Sequence, residues 1–477
     1  MNKVIKNYLY NASYQLLLII LPIITTPYVS RVLGADGVGT YSYTNSITQY
    51  FILFGCIGLN LYGQREIAYY QNDVRKRNRT FFELVFLRAI TISISLIIFY
   101  LTMVQFSKYS SIFLIQTLDI IASIFDISWF FQGIEDFKRT VLRNFLVRLL
   151  CVTLIFIFVK SPADLPLYVL CYSGTLFLGN ISLWLYMPKY VNKNDINGLN
   201  IKKHIRPAVM LFLPQIATSL YTYLDKTMIG YITDNTAEVA YYEQSQTIVK
   251  TVMTVITSLG TAMMPRIANL FKTNQYEEIK KYMNASIKFV LLLAIPFTFG
   301  IMGIAKGFVP WFFGDGYEKV VPNMMLIAPI IIFIGMSTIT GTQYLLSLGR
   351  QKEYTLSVIA GAVINFILNI IFISIFGSIG AAIGTLIAEF AVMGFQLYFI
   401  RKEFSLLGIF KQVIKYTLFG LIMFIVVILL SNILSVSIVS TFVEIFVGAI
   451  VYGLLLLISK DSIFDILKAK IAERRAR

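Results

Sequence analysis

Charged and reactive residues are scarce in this chain. Only 14% of its 477 residues are Asp, Glu, Lys or Arg, there are three cysteines, and there is one histidine. Too little polar sequence remains to coat a soluble globule of this length, because 57% of the residues are apolar and the mean hydropathy is +0.73. Cys56, Cys151 and Cys171 have no paired spacing, and His204 stands alone in a basic segment, so disulfide and metal frameworks lack their raw material. No Gly-rich phosphate loop ending in Lys-Ser/Thr, nucleophile elbow or His-Glu-x-x-His occurs, and no connecting segment is long enough to hold a soluble catalytic domain. Enzyme chemistry is therefore not expected, and neither is a cofactor.

What is present is a series of long apolar runs. A hydrocarbon core about 30 Å thick needs roughly 20 residues of helix per crossing. Fourteen stretches qualify, at about 8–33, 37–63, 81–104, 109–131, 141–159, 165–187, 205–231, 236–264, 285–305, 322–347, 355–375, 378–400, 412–430 and 438–458. Their continuous apolar character excludes the alternation of a membrane barrel. The fold class expected is an all-α polytopic membrane protein.

The 41 Lys and Arg residues sort by position. Thirty-one fall in one alternating set of gaps and at the two ends, four (Lys108, Lys160, Lys306 and Lys319) in the other set, and six inside the spans. Basic residues are retained on the cytoplasmic side, so this alternation places both termini there and requires an even number of spans. The net charge of +16 then reflects topology, and nucleic acid drops out as a partner.

A weak internal repeat divides the chain. Arg31-Val-Leu-Gly34 followed by Val38-Gly39-Thr40-Tyr41 is echoed by Lys226-Thr-Met-Ile-Gly230 followed by Val239-Ala240-Tyr241-Tyr242. Six spans separate the copies, so two six-helix lobes share one orientation about an axis along the membrane normal. The expected domains are 1–204, 205–402, and a two-helix extension with a basic tail at 403–477. A binding site would lie between the lobes near the midplane.

The six cations inside the spans are Arg31, Arg88, Arg148, Lys226, Lys250 and Lys288. A charge in hydrocarbon snorkels, pairs or lines a wet cavity. Lys288 and Arg31 lie close enough to span ends to snorkel. Arg88 and Arg148 are about seven residues deep, and Lys250 is near the middle of its span, seven residues after Glu243 on the same helix face. Acids inside the spans, among them Asp119, Asp126, Asp225, Glu243, Glu389 and Glu444, either pair with these cations or bind a proton or sodium ion whose gradient drives transport. Uncompensated cations suit an anionic substrate such as a pyrophosphate. Tyr41, Tyr43, Tyr50, Tyr221, Tyr223, Tyr241 and Tyr242 gather at the repeat corners, where rings either pack or face sugars.

Three blocks carry a family resemblance: Tyr28-Val-Ser-Arg-Val-Leu-Gly-Ala-Asp-Gly-Val-Gly-Thr-Tyr-Ser42, Asp126-Ile-Ser-Trp-Phe-Phe-Gln-Gly-Ile-Glu-Asp-Phe137, and Leu224-Asp-Lys-Thr-Met-Ile-Gly230 with Tyr241-Tyr-Glu-Gln244. Over most of its length the chain resembles the bacterial polysaccharide repeat-unit flippases of the multidrug/oligosaccharidyl-lipid/polysaccharide (MOP) superfamily. The resemblance implies fourteen helices in two lobes and a cationic cavity. It also implies outward movement of undecaprenyl-pyrophosphate-linked oligosaccharide across the cytoplasmic membrane. Arg31, Asp225, Lys226 and Glu243 occupy matching motif positions, whereas Arg88, Arg148 and Lys250 are chosen by depth. A polysaccharide polymerase and glycosyltransferases are the implied protein partners, and membrane lipid surrounds the chain. A lipid-linked peptidoglycan-precursor flippase, an ion-coupled multidrug antiporter and a nontransporting membrane scaffold are the alternatives.

Overall fold

The computed structural model describes the backbone of residues 3–192 and 198–461, with all side chains there except those of 3–19, 213–215, 217–218, 220–221, 259 and 261–262. The Tyr221 side chain and the basic residues after Asp461 therefore lie outside what is described. Among the described residues there is no strand, and eleven helical segments are long and apolar enough to cross a membrane. Those eleven coincide with the third to sixth and eighth to fourteenth apolar runs of the sequence. The chain forms two compact units, Met1–Ala240 and Tyr241–Arg477.

The first unit begins with α1, Lys3–Cys56, whose 54 residues exceed one crossing. It is two helices joined at Gly34, where φ 67° and ψ 177° leave the helical region at little cost only for glycine. The second apolar run stops short of its expected end at residue 63. The chain breaks at Ile57 and Gly58, with φ of 44° and 73°, and restarts as α2, Leu59–Tyr69. Next come α3, Val74–Phe99, α4, Ser110–Ile124, and the short α5, Ser128–Gly133. Then follow α6, Phe137–Phe158, α7, Leu165–Trp184, and α8, Ile205–Thr233. Asp73 caps α3 by accepting from the Lys76 amide at 3.1 Å.

The motif at 126–137 forms the plug of this unit. Trp129, Phe130 and Phe131 are at most 2% exposed and pack with Phe81, Leu84 and Leu183 in one cluster. Phe81 and Phe130 meet edge to face at 5.2 Å, a favoured aromatic arrangement.

Helix α8 packs along α1 and α2. At its far end the two repeat corners touch. Thr40 Oγ1 and Thr236 Oγ1 are 3.3 Å apart, Ser46 Oγ and Thr227 Oγ1 are 2.9 Å apart, and the Tyr43 ring lies on Gly230. Gly39 permits this approach, since a β-carbon there would fall 1.7 Å from the Thr236 carbonyl oxygen. The helix that the sequence reading places first in the second lobe is thus joined in this structure to the first unit.

A polar hub fixes residues 200–204 to the same unit. Glu83, fully buried, accepts from the Asn200 amide at 2.8 Å, from Lys203 Nζ at 2.7 Å and from Arg79 Nε at 3.2 Å. His204 Nε2 lies 2.8 Å from Glu83, and its Nδ1 lies 2.7 Å from the Tyr62 hydroxyl. A carboxylate only accepts, so Nε2–H donates to Glu83. A neutral ring then leaves Nδ1 to accept from Tyr62. Burial accordingly holds the His204 pKa below its ordinary value. Protonation is easier in the unfolded chain, so the stability that His204 contributes is present above about pH 6.5 and is lost as pH falls from there through its depressed folded value. Thermal melting of the purified protein should weaken between about pH 7.5 and pH 5. The His204→Gln variant should lose part of that slope, and an identical slope in both proteins would remove His204 as its source.

The second unit contains most of α9, Thr236–Lys272, then α10, Tyr276–Phe313. The tenth apolar run is broken into α11, Val320–Ile327, α12, Ile330–Ser337, and a nine-residue π-helical run, Thr338–Leu346. After it come α13, Gln351–Phe376, α14, Ser378–Ile400, α15, Leu406–Ile433, and α16, Ile438–Ile458. Asp461, 3% exposed, ties the last two helices to α10. Its carboxylate contacts Lys288 Nζ at 2.9 Å, Lys415 Nζ at 2.5 Å and the Tyr416 hydroxyl at 3.2 Å. Lys288 therefore ends in an ion pair, where the sequence offers snorkelling as the simplest account.

Candidate functional site

In the first unit Arg88 is 2% exposed and fully engaged. Its Nε donates to the Ser123 carbonyl at 2.5 Å, Nη1 to Asn60 Oδ1 at 2.6 Å and Nη2 to Cys56 Sγ at 3.5 Å, while Asp126 lies 3.6 Å from Nη2. Asp126 also accepts the Ser128 amide at 3.0 Å, which starts α5. Arg88 and Asp126 thus form a buried pin joining α1, α3 and the α4–α5 corner. Depth marks Arg88, whereas Asp126 stands out as an acid inside a span that pairs with a cation or binds a coupling ion; the geometry commits the two to each other.

Arg148 differs. It lies near the middle of α6, is exposed, and interacts electrostatically with Tyr41, Tyr172 and Cys151. Tyr41 of α1 packs against Tyr168 at 5.1 Å and Tyr172 at 5.4 Å, both of α7, and these two meet at 5.1 Å. Beside this trio Thr44 and Thr48 bracket Gln116, which donates to Thr44 at 3.1 Å and accepts from Thr48 at 2.9 Å. The arrangement offers a guanidinium, phenol rings and amide groups at membrane depth. Those are the groups that bind phosphate oxygens and sugar faces.

On α8, Asp225 and Lys226 are 3% and 9% exposed. Lys226 Nζ stands 5.8 Å from the Tyr223 ring centroid, and Tyr223 packs edge-on to Tyr50 at 6.1 Å. Arg31 is exposed, three residues before the Gly34 turn.

The second unit carries a polar relay. Lys250 Nζ donates to Gln246 Oε1 at 2.6 Å, Gln246 Nε2 donates to the Tyr242 hydroxyl at 2.6 Å, and Tyr242 meets Thr385 Oγ1 at 2.7 Å. Asn365 Nδ2 reaches the same Thr385 oxygen at 3.5 Å, and Asn369 Nδ2 donates to Asn365 Oδ1 at 3.2 Å. Glu389 is 7% exposed on α14, one turn beyond Thr385. Glu243 is half-buried, and Tyr241 packs edge-on to Tyr317 at 6.2 Å. Tyr242 is fully buried and bound at both sides, so its role is to hold the relay. Helical spacing in the sequence places Lys250 on one face with Glu243 and does not mark Gln246, Thr385, Asn365 or Asn369. The signal was available in α13, where Ser357, Gly361, Asn365 and Asn369 recur every fourth residue and are all buried.

Comparison with known proteins decides the family. Residues 4–271, more than half of the chain, match the polysaccharide biosynthesis protein family. The chain belongs to that family. Residues 211–371 also match the MatE family. Among curated relatives, a putative O-antigen transporter of Escherichia coli (strain K12) is 26% identical over 403 residues, covering 83% of this chain and 97% of the relative. Lipid II flippase MurJ of Bacillus subtilis (strain 168) is 24% identical over 166 residues, covering 32% of this chain and 30% of the relative. The fold is similar to Lipid II flippase MurJ in an inward closed conformation, with TM-score 0.77, 16% identity and coverage of 96% and 100%. It is also similar to an inward-facing multidrug resistance MATE family transporter, with TM-score 0.64, 13% identity and coverage of 82% and 98%. This member of the polysaccharide biosynthesis protein family is thus a multi-pass transporter of the cytoplasmic membrane and not an enzyme.

Proposed function

We propose that the chain is a flippase for lipid-linked oligosaccharide repeat units, carried on undecaprenyl pyrophosphate. It moves them from the inner to the outer leaflet by alternating access for capsule, O-antigen or exopolysaccharide assembly. The observation that carries this reading is the match to a putative O-antigen transporter along 83% of this chain and 97% of that relative. The site chemistry agrees with it. A pyrophosphate cannot enter hydrocarbon without compensating cations, and Arg148 and Lys226 place cations in the spans beside phenol rings.

In this scheme Arg148, Lys226 and Arg31 bind the pyrophosphate, Lys250 acts through its relay, and Arg88 is a structural pin. Tyr41 and Tyr223 contact sugars, while Tyr241 and Tyr242 shape the second unit. Asp225, Glu243 and Glu389 balance charge or carry a coupling proton or sodium ion. A polymerase and glycosyltransferases use the product and supply the substrate. Lipid II is the competing cargo, favoured by the fold likeness to MurJ.

Purified protein in vesicles, supplied with labelled undecaprenyl-pyrophosphate glycans or with lipid II, separates the two. Transfer of the repeat-unit glycan to the protected leaflet at several times the protein-free rate is expected, with little transfer of lipid II. The reverse preference would transfer the assignment to peptidoglycan-precursor export.

A further inference from the structure

Four helices of the second unit meet at one irregular segment, the nine-residue π-helical run Thr338–Leu346. Its span, Val320–Leu346, has a larger buried share than any other of the eleven. Segments of this kind are mostly a single turn, like Tyr100–Val104 in the first unit, and they occur frequently at functional positions. The sequence explains why the helix widens here. Thr338 Oγ1 donates to the Ile334 carbonyl at 2.8 Å, and Thr340 Oγ1 lies 3.0 Å from the Met336 carbonyl. Each hydroxyl competes for the carbonyl that the amide of the same residue would use in an α-helix. Thr338, Thr340 and Thr342 are β-branched and Gly341 is a poor helix former, so little intrinsic preference opposes the change.

The neighbouring helices hold the widened form. On α9, a β-carbon at Gly260 would fall 2.4 Å from Thr338 Cγ2, and the Met264 carbonyl accepts from Ser347 Oγ, just after the run, at 3.2 Å. On α10, Ser286 Oγ accepts from Gln343 Nε2 at 3.0 Å. On α14, Gln396 Oε1 lies 2.7 Å from Thr340 Oγ1, and Gln396 Nε2 donates to Ser357 Oγ of α13 at 3.1 Å. The hold is incomplete. Gln343 Oε1, on a side chain that is 0% exposed, and Ser337 Oγ, at the entry to the run, are buried and complete no hydrogen bond. Buried polar groups left unpaired are costly, so side-chain bonds keep the π form in place against a bias to repack.

We propose that Thr338–Leu346 is a two-state element that exchanges between this π form and an α form. In the exchange each amide of the run moves its bond from the fifth preceding carbonyl to the fourth, and the chain beyond the run turns by about one residue, or roughly 100°. Gln343 then leaves Ser286 and Ser347 leaves the Met264 carbonyl, which releases α10 and the inner part of α9 from this span. Lys250 and Tyr242 lie on α9 and Thr385 on α14, so the exchange gives their relay two settings. Packed helices take discrete arrangements, which lets one register step act across the unit. The part played by the relay rests on the flippase reading, but the exchange itself does not.

The test has two arms. Spin labels at Lys272→Cys, the last residue of α9, and Lys352→Cys, in the first turn of α13, report the distance across the inner end of the run by electron resonance on the full chain in vesicles. Both lysines are exposed, and the three native cysteines are buried. The labelled but otherwise unaltered chain should give two distances. Deletion of Thr342, which removes the extra residue of the run, should leave one of them. Gln396→Leu, which keeps the length but removes the partner of Thr340, should shift the ratio several-fold toward that same distance. In the second arm, translocation of labelled undecaprenyl-pyrophosphate glycan should fall several-fold in the deletion variant. One distance common to all three chains overturns the proposal, as does wild-type translocation by the deletion variant. Should that variant not fold, an unchanged ratio in Gln396→Leu overturns it alone. Wild type that carries no lipid-linked glycan would remove the flippase reading, and the distances would still decide the exchange.

Discussion

Asp126→Ala should destabilise the protein by about 3–5 kcal/mol, the usual cost of leaving one member of a buried ion pair alone. Arg88 would keep its guanidinium at 2% exposure with only the Ser123 carbonyl, Asn60 and Cys56 around it, none of them charged. The effect should extend beyond Coulomb energy. Asp126 Oδ1 also accepts the Ser128 amide at 3.0 Å, so the substitution removes the side-chain bond that starts α5 at the corner seating the aromatic plug. The paired variant Arg88→Met with Asp126→Leu should regain most of the loss, because replacing a whole buried pair by apolar groups is often neutral. Melting curves in detergent give the comparison. Equal melting of Asp126→Ala and wild type would show that the pin bears no stability.

Arg148→Ala should leave folding intact yet weaken substrate binding by about 1.5–3 kcal/mol, or roughly 10–150-fold, the range for a hydrogen bond to a charged group. The guanidinium is exposed near the middle of α6, so its removal opens no buried gap. Arg148→Lys should retain charge and lose the forked geometry, giving an intermediate result. Lys226→Ala should also reduce export, with some loss of stability because Lys226 is only 9% exposed. Surface polysaccharide on cells complemented with each variant, normalised to the amount of protein in the membrane, measures the outcome. Full export by both Ala variants would end the role of these cations in cargo binding.

The two predictions concern residues of one type that sequence depth could not tell apart. Arg88 and Arg148 lie at similar distances from their span ends, and each has acidic residues somewhere in neighbouring runs. Only packing separates them. The helix break after Ile124 turns Asp126 back toward α3, where it meets Arg88, whereas α6 presents Arg148 beside the ring trio of Tyr41, Tyr168 and Tyr172. Asp461 is a sharper case. Nothing in a single acid just past the last apolar run signals that Lys288, more than 170 residues earlier, and Lys415 will converge on it.

The sequence by itself determined that this is a helical membrane protein. Backbone groups in lipid must be satisfied within each crossing segment, so every long apolar run had one available structure. It also determined where the chain must turn, since Gly34 is a residue that tolerates the turn's dihedrals. The tertiary structure decided which buried charges are spent and which face a cargo. A charge at membrane depth is read by its partners, and these come from helices far apart in sequence, brought within about 4 Å by packing that no local pattern records.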